Sequence, residues 1–313
     1  MSAKRVVWIA AVAGVLYVAI AVWVFNNFAD ELPEMSTSAL GLVALAAIAQ
    51  IGAKWFYGLL FRESVQKTGG DLKRFSAFKG ALVGAGVARL IPAGGAITPV
   101  AMSWTVRDEA AGTTGPAIRT VLLNYSGLLI LAGTGLLIAR PEDGLKIASV
   151  SLFVAAPFVI GAGLLVMFGS GKLGSLVRFM PQFIRKRVES QMIDHLPGLE
   201  SQLYIWARLG MEALALGLVL IAFGIDVNGF QVLAVFGVSQ LAGGLPGMPG
   251  GMGVIEGALV LTLAAYGFPA ATTLAPVLIF RVVSYWLPAA LGFLAGGMTF
   301  LKSDEAKAAR DAE

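Results

Sequence analysis

Residues 243–257 read GGLPGMPGGMGVIEG and break an apolar segment that extends from residue 230 to residue 268. A helix needs about 20 apolar residues to cross a membrane, and each half of this segment, at about 16, is marginal for that length. Proline cannot donate the hydrogen bond that continues a helix, and glycine allows sharp backbone turns. We therefore expect a broken, re-entrant hairpin here. The alternative is that proline and glycine only kink packed membrane helices.

A similar break occurs in the first half of the chain. The apolar segment 77–104 is interrupted by Pro-Ala-Gly-Gly at residues 92–95. Its two parts, at roughly 15 and 9 residues, are each too short to cross a membrane alone. The sequence therefore predicts a second re-entrant hairpin.

The composition places the whole chain in a membrane. Of its 313 residues, 57% are hydrophobic and 13% are charged, against about 45–50% and 25% in a soluble domain. Cysteine is absent and His195 is the one histidine, which excludes disulfides, thiolate sites and His-rich metal sites. We expect no metal and no cofactor. We also expect no nucleic-acid partner, because a net charge of +4 in such a chain reflects basic cytoplasmic loops.

Other apolar runs are long enough to span the membrane. They cover residues 6–28, 39–61, 115–139, 147–169, 203–225 and 271–300. The prediction is an all-α polytopic membrane protein with about six full transmembrane helices and two Pro/Gly-broken hairpins. One membrane domain is expected over residues 1–302, an interfacial amphipathic helix within 170–202, and a short cytoplasmic tail over 303–313.

The basic residues predict the orientation. Lys4 and Arg5 precede the first span and an acidic loop, residues 30–34, follows it, so both termini are expected in the cytoplasm of a multi-pass cell-membrane protein. The hairpin 77–104 then begins and ends on the cytoplasmic side. The hairpin 230–268 begins and ends on the outer side.

The two halves of the chain, about residues 39–139 and 203–300, predict an inverted repeat. Span, hairpin and span follow in the same order in both, with opposite orientation. At a shift of about 155 to 160 residues, Gly94 and Gly95 match Gly250 and Gly251, and Tyr125 matches Tyr285. Inverted repeats with broken helices that meet near the midplane are typical of secondary transporters.

Ionisable side chains inside the membrane are candidates for function, because they are costly there. Six are expected at depth: Lys54, Arg89, Arg208, Glu212, Glu256 and Arg281. Arg208 and Glu212, four residues apart, are explained by an intrahelical pair, and Lys54 either snorkels or contributes to a site.

Arg89 and Arg281 are expected to bind a headgroup phosphate, since the planar guanidinium matches phosphate oxygens. Glu256 would balance one of them. The alternative is that the arginines and Glu256 only neutralise one another.

The helix breaks are expected to contribute backbone N–H groups. Gly94, Gly95, Gly250 and Gly251 would let an anion approach the restarting helices, or they serve close helix packing. Polar residues that could complete a headgroup pocket are Gln50, Asn124, Tyr125, Ser126, Gln240, Ser284 and Tyr285.

Three stretches resemble the lysylphosphatidylglycerol synthase transmembrane-region family, also called flippase-like domains. They are residues 89–95, RLIPAGG, residues 243–257, and residues 281–288, RVVSYWLP. The resemblance extends over about residues 5–300 and implies a stand-alone domain that moves lipids between leaflets. Some members move a lysyl-phospholipid made by an appended soluble synthase, which is not expected here. The resemblance leaves the substrate open among phospholipids, lipid-linked sugars and polyprenyl phosphates.

A flippase for an anionic or phosphate-bearing lipid is therefore expected, with no catalytic residues. The alternatives are an intramembrane lipid-modifying enzyme and a small-solute or ion transporter, and a homo-oligomer is left open. The expected substrate-binding residues are Arg89, Pro92, Gly94, Gly95, Tyr125, Pro249, Gly250, Gly251, Glu256, Arg281 and Tyr285.

Overall fold

A computed structural model describes residues 37–90, 94–139, 146–168, 197–244 and 249–296. Within these residues the chain is α-helical and contains no strand. The helices are α1 (Thr37–Gln66), α2 (Arg74–Leu90), α3 (Gly94–Thr105), α4 (Thr114–Ile138), α5 (Lys146–Phe168), α6 (Leu199–Ala222), α7 (Gly229–Gly243), α8 (Val254–Ala265) and α9 (Ala270–Arg281). The helix of α9 continues through a π-helical turn, Val282–Trp286, to Gly296. The prediction of an all-α polytopic membrane protein is confirmed.

Four of these helices are long and apolar enough to cross a membrane: α1, α4, α6 and the extended α9 over Ala270–Gly296. They match the predicted spans 39–61, 115–139, 203–225 and 271–300. The 23-residue α5 coincides with the predicted span 147–169. The predicted span 6–28, most of the amphipathic segment 170–202 and the tail 303–313 lie outside the described residues.

Local signals set the helix ends. After α1, Gly69 adopts φ 80°, and the N–H of Gly70 bonds to the carbonyl of Val65 at 3.2 Å, which closes the last turn. At the start of α7, the side chains of Asn228 and Gln231 each accept a bond from the other's backbone N–H, at 2.9 Å. This capping box begins the helix one residue before the predicted start of the second apolar segment.

Both broken segments form helical hairpins. In the first, α2 and α3 pack against each other around the tip, residues 91–93, which the structure does not describe. In the second, α7 and α8 pack together and a short 3₁₀ turn, Pro249–Gly251, precedes α8. These four helices have 17, 12, 15 and 12 residues, so each is shorter than the about 20 residues that a membrane crossing needs.

Small residues bring the main helices into close contact. α1 crosses α6 at Gly52, where an added Cβ would lie 2.6 Å from Met211 Sδ. In α7, an added Cβ on Gly237 would lie 2.6 Å from the Cα of Ala132 in α4. Glycine at such crossings permits close backbone approach and van der Waals packing.

The contacts of the two halves correspond. Gly135 of α4 meets Ala234 of α7, and Gly292 of the extended α9 meets Leu82 of α2. Each half therefore packs its last long helix against the first helix of the other half's hairpin. This correspondence supports the inverted-repeat hypothesis.

Polar contacts join helix ends at two places, one at each end of α4. Near the end of α1, Glu63 pairs with Arg119 of α4 at 2.8 Å and accepts a bond from Ser201 of α6 at 2.7 Å. At the other end of α4, Tyr266 donates a hydrogen bond to the carbonyl of Ala139 at 2.8 Å. The first group lies on the side predicted to be cytoplasmic and the second on the side predicted to be external.

Candidate functional site

A cavity of about 520 Å³ lies among α1, α2, α3, α4, α6, α7, α8 and the extended α9. It is open to the outside, and exposed Leu122 and Gly244 belong to its lining. The polar lining residues are Lys54, Tyr57, Arg89, Thr98, Asn124, Tyr125, Arg208, Glu212, Gln240, Arg281 and Tyr285. Both hairpins and the long helices of both halves thus contribute to one polar site.

Arg89 lies in the last turn of α2, next to the tip of the first hairpin. Its Nη1 donates to the carbonyl of Ala85 at 2.7 Å, and its Nη2 donates to the carbonyl of Ser284 at 2.8 Å. Its Nε is buried without a hydrogen-bond partner. Within the described part of the chain Arg89 forms no ion pair, so its positive charge faces the cavity without a counter-ion.

Arg281 lies at the start of the π-helical turn and is 3% exposed. Its Nε donates to Glu256 Oε1 at 2.7 Å, and its Nη2 donates to the carbonyl of Gly250 at 3.3 Å. Glu256 itself does not line the cavity, and its Oε2 is buried without a partner. Arg281 is therefore charge-balanced by α8 and linked to the tip of the second hairpin.

Tyr285 connects these groups. Its ring lies 4.7 Å from the guanidinium carbon of Arg281 and 5.6 Å from that of Arg89, in cation–π geometry. Its hydroxyl donates to the carbonyl of Arg89 at 2.6 Å. A Cβ on Gly250 would overlap the Tyr285 ring. One aromatic side chain therefore contacts both hairpins.

Tyr125 has a corresponding position in α4. A Cβ on Gly95 of the first hairpin would lie 3.1 Å from the Tyr125 hydroxyl, and one on Gly244 of the second would lie 3.5 Å from its ring. Tyr125 and Tyr285, matched in the sequence, thus each lie between the two hairpins.

A second charged group lies on α1 and α6. Lys54 Nζ forms a very short ion pair with Glu212 Oε1, and Arg208 Nη2 reaches the same oxygen at 3.3 Å. Arg208 also donates to Asn124 Oδ1 and lies over the ring of Tyr57 at 4.6 Å. Two cations here share one carboxylate.

From the sequence, Arg208 and Glu212 were expected to form an intrahelical pair, and Lys54 was expected either to snorkel or to contribute to a site. The structure shows the predicted intrahelical contact and adds Lys54 from another helix. A signal was present, because Glu212 falls at helical spacing between Leu209 and Leu216, which are both fully buried. A carboxylate in such a stripe faces other helices.

Most of the predicted substrate-binding residues line the cavity. Arg89, Gly95, Tyr125, Gly250, Gly251, Arg281 and Tyr285 line the cavity. Gly94 is the first residue of α3 and Pro249 the first of the 3₁₀ turn, and Pro92 lies outside the described residues.

Only some of the polar residues that were predicted to complete a headgroup pocket line the cavity. Asn124 and Gln240 line the cavity, whereas Gln50, Ser126 and Ser284 are buried outside its lining. The two amide atoms of Gln50 have no hydrogen-bond partner in the described structure. The substrate-binding role of all these residues stays a prediction.

Comparison with known proteins shows to which family the chain belongs. The model of the lysylphosphatidylglycerol synthase TM region matches residues 8–292. The chain belongs to this family. The match covers both hairpins and every helix that lines the cavity.

Two similar proteins are membrane proteins of Methanothermobacter thermautotrophicus. Both carry the name UPF0104 membrane protein, with 35% identity over 82 residues and 28% identity over 98 residues. These matches cover 26% and 31% of this chain, and 25% and 28% of the two relatives. The chain thus aligns with about a quarter of the length of the curated relatives that it matches.

The side chains of the cavity indicate which ligands it can bind. Within the residues that the structure describes, no group of three or more His, Cys, Asp or Glu side chains could hold a metal ion. The polar side chains that line the cavity are cations, hydroxyls, amides and one carboxylate, Glu212, which is paired with Lys54 and Arg208. Cations, hydroxyls and amide N–H groups bind anions through charge and hydrogen bonds.

Proposed function

We propose that this protein is a lipid flippase, which moves an anionic or phosphate-bearing lipid between the leaflets of the cell membrane. The headgroup would occupy the cavity between the hairpins while the hydrocarbon chains remain in the surrounding lipid. A phospholipid and a polyprenyl-phosphate-linked lipid both fit this description. The inverted repeat of two hairpins would give the cavity alternating access to the two leaflets.

The observation that carries the proposal is the positive, open cavity at membrane depth. Arg89 has no counter-ion in the described structure, and the lining reaches exposed Leu122, the ninth of the 25 residues of α4. A charge in that position is costly unless it is paired or solvated. A lipid phosphate that enters from the side of the bundle would pair with it.

The arrangement of the carboxylates favours transport over catalysis. A general acid or base needs a carboxyl group within reach of a substrate proton. Glu212 is engaged by two cations, and Glu256 is bonded to Arg281 and lies outside the lining. An intramembrane enzyme would need one of these pairs to open.

Reconstitution with a labelled lipid tests the proposal. The purified protein in liposomes should speed the passage of a fluorescent phospholipid or polyprenyl phosphate between leaflets. Arg281→Lys keeps the charge but loses the planar fork, so we expect about a tenfold lower rate with normal folding. Arg107→Lys, at a half-exposed arginine outside the cavity, is the matched control.

Glu256→Gln separates a binding site from mere charge neutralisation. If the site holds lipid phosphate, the additional positive charge should slow release and lower turnover while the protein remains folded. A loss of about 3–5 kcal/mol in unfolding free energy, with unchanged transfer per folded molecule, would contradict the proposal.

A further inference from the structure

The positive charge of the cavity is not evenly distributed. Around the cavity, Lys54, Arg89, Arg208 and Arg281 face two carboxylates, Glu212 and Glu256. Arg281 is balanced by Glu256, whereas Lys54 and Arg208 share Glu212 and Arg89 has no carboxylate partner in the described structure. Two unit charges therefore remain, one at Arg89 and one at the Lys54–Arg208–Glu212 group.

The hairpin tips do not alter this balance. Residues 91–93 are Ile-Pro-Ala and residues 245–248 are Leu-Pro-Gly-Met, so neither tip carries an ionisable side chain. Arg89, Lys54, Arg208 and Glu212 all line the same cavity. The two positive centres thus act on one shared space.

Each positive centre contains an N–H donor that no described protein group accepts. The Nε of Arg89 and the Nε of Arg208 are buried, and neither has a hydrogen-bond partner in the described structure. Buried N–H groups without partners are rare in native proteins and costly. A phosphate in the cavity would supply oxygen acceptors to both guanidinium groups.

We infer that the cavity selects a phosphate group that carries two negative charges, a monoester or a diphosphate, over a singly charged phosphodiester. This inference rests on the proposed flippase function for the source of the phosphate, which is then a lipid with a terminal phosphate. A phosphomonoester carries about −1.5 to −2 at pH 7, which neutralises both centres. A phosphodiester would leave one buried charge unmatched, and an aminoacylated lipid, with its added cation, would leave more.

Two lipids with identical acyl chains test the charge directly. Phosphatidic acid is a monoester, and phosphatidylmethanol differs from it by one methyl group and one charge. Affinity for the full-length protein in nanodiscs would be measured by titration, and passage between leaflets in liposomes. We expect phosphatidic acid to bind about tenfold or more tightly, since one further charge contact in a shielded site is worth at least that factor.

Two variants locate the selectivity. Arg89→Gln removes one uncompensated charge, and Lys54→Met leaves Glu212 balanced by Arg208 alone. In each, the preference for phosphatidic acid should fall towards onefold, while Arg107→Gln outside the cavity should retain it. Equal affinity of the two lipids for the unmodified protein, or an unchanged preference in both cavity variants, would overturn the inference.

The same measurements separate this inference from the proposed function. If both lipids cross between leaflets and bind with equal affinity, the flippase proposal stands and the charge selectivity is wrong. sn-Glycerol 3-phosphate is the water-soluble probe with the same phosphate. If it binds as tightly as phosphatidic acid and neither lipid is moved, the doubly charged site stands and lipid transport is wrong.

Discussion

Tyr285, on the extended α9, contacts both hairpins. Its hydroxyl bonds to the Arg89 carbonyl of the first hairpin, and its ring lies against Gly250 of the second. Tyr266 makes an equivalent bond to the carbonyl of Ala139, far from the cavity. The two tyrosines therefore form a matched pair for mutation.

Tyr285→Phe should remove one hydrogen bond and keep the ring. We expect a loss of about 0.5–1.5 kcal/mol in unfolding free energy, and a similar loss for Tyr266→Phe, both measured by thermal unfolding in detergent. Only Tyr285→Phe should weaken lipid binding, because the freed Arg89 carbonyl then competes for the arginine donors that face the cavity. An equal effect of both variants on lipid binding would argue against a site at Tyr285.

At the scale of elements, the second hairpin depends on a turn that only glycine adopts easily. Gly250, Gly251 and Gly253 have φ of 58°, 67° and 77°, in a region that side chains with a Cβ rarely occupy. The turn contacts both α2 and α3 of the other hairpin. Its backbone shape therefore sets how the two hairpins meet.

Gly250→Ala should be strongly unfavourable, because the added Cβ meets the Tyr285 ring as well as a positive φ. We expect a loss of at least about 1–3 kcal/mol and a displaced ring, with lower lipid transfer. Gly257→Ala, inside α8 where no atom lies within 4 Å of an added Cβ, is the control and should be neutral or stabilising by up to about 1 kcal/mol. Unfolding midpoints of the two variants give the comparison, and equal stability would refute this role of the turn.

At the scale of the whole molecule, the two groups of helix ends define two faces. The loops around Ala111 and around Ala270 belong to opposite faces, and both residues are exposed. The positive-inside distribution predicts that the first is cytoplasmic and the second external. The predicted inverted arrangement of the hairpins depends on this orientation.

Single cysteines in this cysteine-free chain test the orientation. Ala270→Cys should react with an impermeant thiol reagent on intact cells, and Ala111→Cys should react only after the membrane is permeabilised. The unmodified chain, which has no thiol, provides the background. Labelling of Ala111→Cys from outside would reverse the topology and the assignment of the cytoplasmic termini.

The sequence alone determined the helical membrane class, the ends of the described spans to within a few residues, and the position of both breaks. These features follow from local properties: apolar length, proline without an N–H, and glycine without a Cβ. The same reasoning found Arg89, Arg281 and the glycines of the breaks, because a charge or a helix break inside an apolar run can be recognised from the linear sequence.

Only the tertiary structure decided which charges share a site. Lys54 and Glu212 are 158 residues apart and meet because α1 crosses α6 at Gly52. The pairing of Arg281 with Glu256, and the absence of such a partner for Arg89 in the described structure, likewise depend on how the hairpins pack. Spacing along a helix predicts contacts three or four residues apart, whereas contacts between helices are set by packing at small residues, which a single sequence does not specify.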